Sequence, residues 1–293
     1  MPKIKIMTDS ACDIPQEIER DLDILILNFP ITVDDKGYME REDFTNTEFY
    51  DILNTSAKIP VTSQITSPRF CEAFESLYRE GYTDVIYVCI NSKGSSTRDA
   101  AVLAAGMFYE EHPDAKDAMN IHVVDSLNYT LAYGYPVIQA AMKAQKGAAP
   151  KEILAYLEDW FASVEIYFAP YTLQFAKKSG RISCAAAFVG ELVGLRPIIS
   201  IINGEMKIVE KVRGDKSIIP ALLKHAQKSR IPETPYCIVY GQNKDQGDEL
   251  SAQAQKKLGA APELICEVGA AIAINAGPRV VALIVKGPRR DAQ

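Results

Sequence analysis

The stretch Asp84–Ile90 reads DVIYVCI, an almost unbroken apolar run. Runs of this kind are strands covered on both faces, as in the parallel sheets of α/β proteins. The run leads through a polar stretch, Ile90–Ala101 (INSKGSSTRDAA), into a helical pattern, TRDAAVLAAGMFYEE. A second buried run, IHVVDS at Ile121–Ser126, follows. Strand, loop, helix and strand in that order make a parallel pair with a right-handed crossover. This pattern sets the fold class as α/β, with helices flanking a parallel sheet.

The rest of the N-terminal half fits that class. Lys3–Met7 predicts a short strand, and Asp13 with Pro15 opens a helix. Residues 24–33 are β-rich, DDKGYMERED is a turn with an extended polar stretch, and a helix falls around 47–54. Ser67 as N-cap and Pro68 at the first position start a helix through Phe70, Phe74 and Leu77, which Gly81 ends. The segment before it, 61–66, reads as a loop. NYTLAYGYPVIQAAMKAQKG is a helix with Pro136 as a possible kink.

Lys146–Pro150 (KGAAP) marks a boundary. Residues 1–150 then form an N-terminal α/β domain, and 151–293 a second, mixed α/β domain. The second domain holds the strongest hairpin of the chain, PIISIINGEMKIVEKVRG, with Asn203-Gly204 as a type I′ turn. A helix precedes it over CAAAFVGELVGL (184–195), and helices and strands alternate after it up to the closing strand RVVALIV.

Composition limits the partners. A chain of 293 residues makes one large or two ordinary domains and needs no covalent staples. A formal net charge of -6 argues against an extended nucleic-acid face. The 6 cysteines form no C-x-x-C pair and show no metal spacing, which reads as reduced thiols in a cytoplasmic protein. The N-terminus alternates apolar residues with lysines and is a strand, not a signal peptide. The longest apolar region, 268–285, is broken by Asn275, Gly277, Pro278 and Arg279, so no stable membrane insertion is expected.

Hydroxyl-bearing residues gather where the predicted parallel strands end. Thr8-Asp9-Ser10, Thr62 to Ser67, Ser95, Ser96 and Asp125-Ser126 all fall on the edge where open α/β sheets bind ligands. Ser96 to Asp99 fits a capping box loosely, so Ser96 reads either as a helix cap or as part of an anion seat. A serine nucleophile needs an oriented base. The 3 histidines, His112, His122 and His225, fall at a helix end, at the opposite strand edge and mid-helix. No G-x-S-x-G, H-E-x-x-H, GxGxxG or P-loop pattern occurs. Hydroxyls without a base point to binding, with no catalytic residue. KKSGRIS at Lys177–Ser183 reads as a helix C-terminus with favourable lysines or as a docking surface for an acidic partner or a phosphate.

Seven segments in order resemble the DegV family of bacterial lipid-binding proteins. They are IMTDSACDIP, VTSQITSPRF, INSKGSSTRDAA, VVDSLNYTLAYG, KKSGRIS, GLRPIISIINGEMKIVEKVRG and INAGPRVVALIVKG. The resemblance implies a two-domain α/β fold with a fatty acid, C14–C18, in a tunnel between the domains. The second domain then covers the acyl chain, and hydroxyls hold the carboxylate. It also implies a separate fatty acid kinase subunit as partner, which would perform any phosphoryl transfer. By position, Thr62, Ser63, Ser95 and Ser96 fall at the head group, with Asn275 and Gly277 in the last motif. Arg181 matches the arginine tied to partner docking. Asn275 stands where the family has a histidine, and Lys93-Gly94-Ser95-Ser96 departs from the usual Gly-Leu-Ser-Gly. Another amphipathic carboxylate and a serine-dependent acyl-transfer enzyme are the alternatives.

Overall fold

A computed structural model describes residues 2–186, 188 and 194–290. The first half holds β1 (Ile4–Asp9), α1 (Gln16–Asp21), β2 (Leu25–Leu27), β3 (Pro30–Val33), β4 (Lys36–Met39), α2 (Asn46–Thr55), β5 (Val61–Thr62), α3 (Ser67–Arg79), β6 (Asp84–Cys89), α4 (Thr97–Glu111), β7 (Asn120–Asp125) and α5 (Leu131–Gln145). Then follow α6 (Pro150–Phe161), β8 (Val164–Pro170), α7 (Gln174–Ser179), β9 (Leu195–Ile202), β10 (Glu205–Arg213), α8 (Ile218–Ser229), β11 (Tyr236–Tyr240), α9 (Lys244–Leu258), β12 (Leu264–Glu267), α10 (Ala270–Ala276) and β13 (Val280–Lys286).

The apolar runs make the sheet they predict. Four strands in the order β2-β1-β6-β7 pair in parallel throughout. All six side chains of β6 are buried, because helices cover both faces. The order reverses direction between β1 and β6. Their C-terminal ends therefore leave a crevice, the usual ligand position in such sheets. There Asp9 Oδ2 accepts from the amide of Ile90 at 2.9 Å and locks the two strand ends together.

The second large sheet is mixed, in the order β10-β9-β8-β13-β11-β12, with β11 and β12 its parallel pair. The hairpin β9–β10 turns through Asn203 and Gly204, which take the positive φ values 51 and 73 that a type I′ turn requires. A third sheet, β4-β3-β5, is small and antiparallel. It draws part of the expected loop at 61–66 into a strand, since Thr62 pairs with Ile31.

One apolar core lies under the parallel sheet and includes Phe70, Phe74 and Tyr87, together with Ile153 and Leu157 of α6. A second core runs from Ile31 and Phe49 to Ile166, Phe168, Ile199 and Ile284, joining the small sheet to the mixed one. The helix expected over 184–195 lies mostly outside the described residues. No described helix is long and apolar enough to cross a membrane.

Candidate functional site

The C-terminal edge of the parallel sheet faces one side of the mixed sheet, and a cavity lies between them. About 1050 Å³ of empty space, its open mouth included, is bounded there. Its walls are apolar: Phe29 and Ile90 from the first half, Ile166, Phe168, Ile201, Val239 and Ala282 from the mixed sheet, and Val268, Ala271 and Ile272 around α10. Its polar lining is Thr62, Ser63, Gln64, Ser95, Ser96, Tyr129, Arg181 and Asn275. A wider polar opening shares Gly94, Ser95, Ser96, Tyr129 and Arg181 with it and adds Lys93, Glu205 and Lys207. The greasy space therefore meets solvent through a polar neck. Such a site takes an amphipathic molecule lengthwise, chain inside and head group at the neck.

Most of the residues singled out by sequence line this cavity, and Ser95, Ser96 and Arg181 also line its polar opening. Thr62 and Ser63 lie on β5 and just past it, where the Ser63 amide donates to Pro30 O at 2.9 Å. Ser95 Oγ sits 2.9 Å from Thr97 Oγ1 and accepts from the Thr97 amide at 3.3 Å. Ser96 occupies the N-cap position of α4 but forms no capping bond, because its ψ of 10 turns the hydroxyl away from the helix amides. Asp99, the expected partner in the box, pairs with Arg98 instead. Arg181 follows the left-handed Gly180 that ends α7, with Lys177 and Lys178 in the last turn, as a helix C-terminus requires. Asn275 lines the cavity while its Nδ2 donates to Ala271 O at 2.7 Å, one turn back along α10. Gly277 closes α10 at φ 91 against the Phe175 ring and is not among the lining residues.

The other hydroxyls of the edge organise loops instead. Thr8 Oγ1 donates to Val88 O at 2.7 Å, and Ser10 Oγ donates to Glu40 at 2.5 Å. Asp125 accepts the amides of Ser92 and Leu127, and Ser126 Oγ accepts from Asn128. At the helix after β5, Thr66 takes the N-cap position expected for Ser67, whose hydroxyl donates to Ala100 O at 3.0 Å.

No imidazole reaches the neck. His122 stands 3.5 Å from Asp84 at the start of β6, and His225 stands 2.8 Å from Glu210. His112 caps the C-terminal end of α4. Among the described residues, no group of His, Cys, Asp and Glu is arranged to hold a metal ion.

The DegV family model matches residues 3–286. The chain belongs to the DegV family. A DegV domain-containing protein of Clostridium acetobutylicum is 30% identical over 280 residues, covering 95% of this chain and 96% of the relative. Another, of Caldanaerobacter subterraneus, is 29% identical with the same coverage. A DegV family protein of Thermus thermophilus, whose structure is described as fatty acid binding, is 27% identical, with a TM-score of 0.85 over 98% of this chain and 100% of that one. A Thermotoga maritima protein described as revealing fatty acid binding function is 26% identical, with a TM-score of 0.84 and the same coverage. A stearic-acid-binding protein of Eubacterium ventriosum, 22% identical over 98% of each chain, shares the two-domain DegV fold at a TM-score of 0.87.

Within this DegV fold, sequence reasoning passed over Tyr129. The segment SLNYTLAYG reads as a helix from Asn128, but α5 begins only at Leu131, because Leu127 and Thr130 take positive φ values of 52 and 51. The irregular loop turns the Tyr129 ring into the neck. Burial pushes its pKa up to about 12, so the phenol keeps its proton at neutral pH. Its position one loop past a parallel strand, on the ligand edge, is the signal that points to it.

Proposed function

We propose that this DegV protein binds a long-chain fatty acid, C14–C18, between an N-terminal domain of residues 1–150 and a C-terminal domain of residues 151–293. The observation that carries the reading is the apolar cavity whose lining includes a set of hydroxyls and opens into a polar mouth. An acyl chain gains about 0.8 kcal/mol for each buried methylene. A long chain therefore offsets the several kcal/mol lost to association, and the head group needs only to be oriented and kept hydrogen-bonded. Thr62, Ser63 and Ser95 supply hydroxyl donors for the carboxylate, with Ser96 and Asn275 beside them.

In this reading the protein is a binding subunit and not an enzyme, which fits the Ser95 hydroxyl being bonded to Thr97 and to no base among the described residues. It works in the cytoplasm and carries its ligand to a separate fatty acid kinase, for which the exposed Arg181 at the neck is the docking residue. The fatty acid similarities of the Thermus and Thermotoga relatives support the ligand class. Organic extraction of purified protein followed by mass spectrometry tests the reading. Stoichiometric C14–C18 acid is expected. An empty protein that also ignores added fatty acid would end it, and recovery of another amphipathic carboxylate would redirect it.

A further inference from the structure

One buried side chain organises the loop that carries Ser95, and the binding reading leaves it unused. Asn91 has no exposed surface. Its Oδ1 accepts from the Lys93 amide at 3.0 Å. Its Nδ2 donates to the carbonyl of Gly204 at 3.2 Å and to the hydroxyl oxygen of Tyr129 at 3.2 Å. The two backbone partners fix which end of the amide is which. Only the oxygen can accept from an N–H, and only the NH₂ can donate to a carbonyl.

Tyr129 therefore meets a donor, and its oxygen acts as the acceptor. The proton of its own O–H has no acceptor among the described residues, while the ring lines both the apolar cavity and the polar opening. The ring also rests on the loop next to Ser95, since a Cβ on Gly94 would lie 2.4 Å from the phenol oxygen. Asn91 thus does two things. It clasps the loop to the Asn203–Gly204 turn of the facing hairpin, where Lys93 Nζ also reaches Asn203 O at 3.3 Å. It also occupies the Tyr129 oxygen so that the phenol proton is left for something else.

We propose that Tyr129 is a head-group donor beside Ser95, with Asn91 as its positioning residue, and that this pair selects a carboxylate over an uncharged head group on the same chain. The proposal rests on the fatty acid reading above and deepens it. A hydrogen bond to a charged acceptor is about twice as strong as a neutral one, so removing the donor weakens the acid far more than the alcohol.

The test is titration of the full chain with palmitic acid and with hexadecan-1-ol. For the native protein the acid is expected to bind more tightly than the alcohol. Tyr129→Phe is expected to weaken the acid about tenfold and the alcohol by about twofold at most. Asn91→Ala is expected to act the same way. In the Asn91→Ala background, Tyr129→Phe is expected to add almost nothing, because the phenol is no longer aimed. With 1-¹³C palmitate, the carboxyl resonance of the bound acid should titrate at higher pH in Tyr129→Phe than in the native protein, since a donor to the charged form is gone. The retained alcohol affinity reports that each variant is folded. Equal losses for acid and alcohol, or no loss, remove Tyr129 from the head group. Additive losses in the double variant remove the positioning role of Asn91. Native protein that binds acid and alcohol equally overturns the selectivity and leaves the lipid reading intact. Native protein that binds neither overturns both.

Discussion

Asp13 lies 2.8 Å from the amide nitrogen of Gly269, a residue 256 positions further along the chain. Glu40 accepts from Ala271 at 2.8 Å in the same way. Two carboxyls from the first half thus hold the start of α10, whose Ala271, Ile272 and Asn275 wall the cavity. Their burial is electrostatically costly. It pushes Asp13 up to about 8 and Asp9 to about 6, and it raises Glu40, whose neighbours are Arg41, Asp9 and Ser10.

Stability is therefore predicted to fall as pH rises. Each of these groups holds a proton in the native state at pH values where the unfolded chain has lost it, so the native state binds more protons in that window. The loss begins near the ordinary 3.8 of Asp, Asp9 completes its share by about pH 6, and Asp13 completes its share by about pH 8. One pKa unit corresponds to about 1.4 kcal/mol, so the shifts of Asp9 and Asp13 together correspond to roughly 9 kcal/mol at most. Asp13→Asn stays neutral and can still accept from Gly269. Its melting temperature should match the native protein below about pH 3.8 and exceed it by several degrees near pH 8. Parallel melting curves across that range would rule Asp13 out as the titrating group.

Gly134 gives a prediction opposite to helix propensity. It lies inside α5, where alanine is favoured by about 1 kcal/mol on propensity alone. A Cβ there would stand 2.2 Å from the carbonyl oxygen of Cys12, a backbone atom with little room to move. Gly134→Ala is expected to destabilise by about 1–3 kcal/mol in chemical denaturation, as overpacking does. Stabilisation would show that the turn at Ser10–Cys12 can retreat from α5.

Much of this architecture is legible in the residues, for identifiable reasons. DVIYVCI and IHVVDS become the adjacent parallel strands β6 and β7 because a doubly covered strand leaves a continuous apolar trace. Asn203-Gly204 makes its turn because few other pairs tolerate positive φ at both positions. The small sheet is hard to see because β5 has only 2 residues. The β3–β4 turn is equally hidden, since it places Asp34 and Asp35 at φ values of 45 and 67 without a glycine at either position. Residue type pointed to Ser95, Thr62 and Ser63, which all line the cavity. The contact of Asn91 with Tyr129 is not legible in the sequence, because it depends also on Gly204, 113 positions from Asn91. Of the two readings open for Ser96, the capping bond does not form for a conformational reason, its non-extended backbone.

Ala282 tests where the chain lies. It sits on β13, between β8 and β11, is 3% exposed, and faces the cavity. In Ala282→Phe the ring enters space reserved for methylenes. Affinity for a C18 acid is expected to drop about tenfold or more by calorimetric titration, with a smaller drop for a C12 acid, since each displaced methylene costs about 0.8 kcal/mol. Unchanged C18 affinity would place the chain elsewhere.

Ser95 separates binding from chemistry. Its hydroxyl is engaged by Thr97, and among the described residues no imidazole or carboxylate is hydrogen-bonded to it. Ser95→Ala should therefore weaken fatty acid binding by about 1–3 kcal/mol, the cost of one missing bond to a buried charge. The native serine should be inert as a nucleophile. An activated p-nitrophenyl acyl ester is expected to give no burst of nitrophenol and no acyl adduct on intact-mass analysis. An adduct on Ser95 would make the protein an acyl-transfer enzyme and would mean that a base reaches the neck from a conformation other than this one. Weaker binding without an adduct would establish the hydroxyl as a hydrogen-bond donor that orients the head group and takes no part in covalent chemistry.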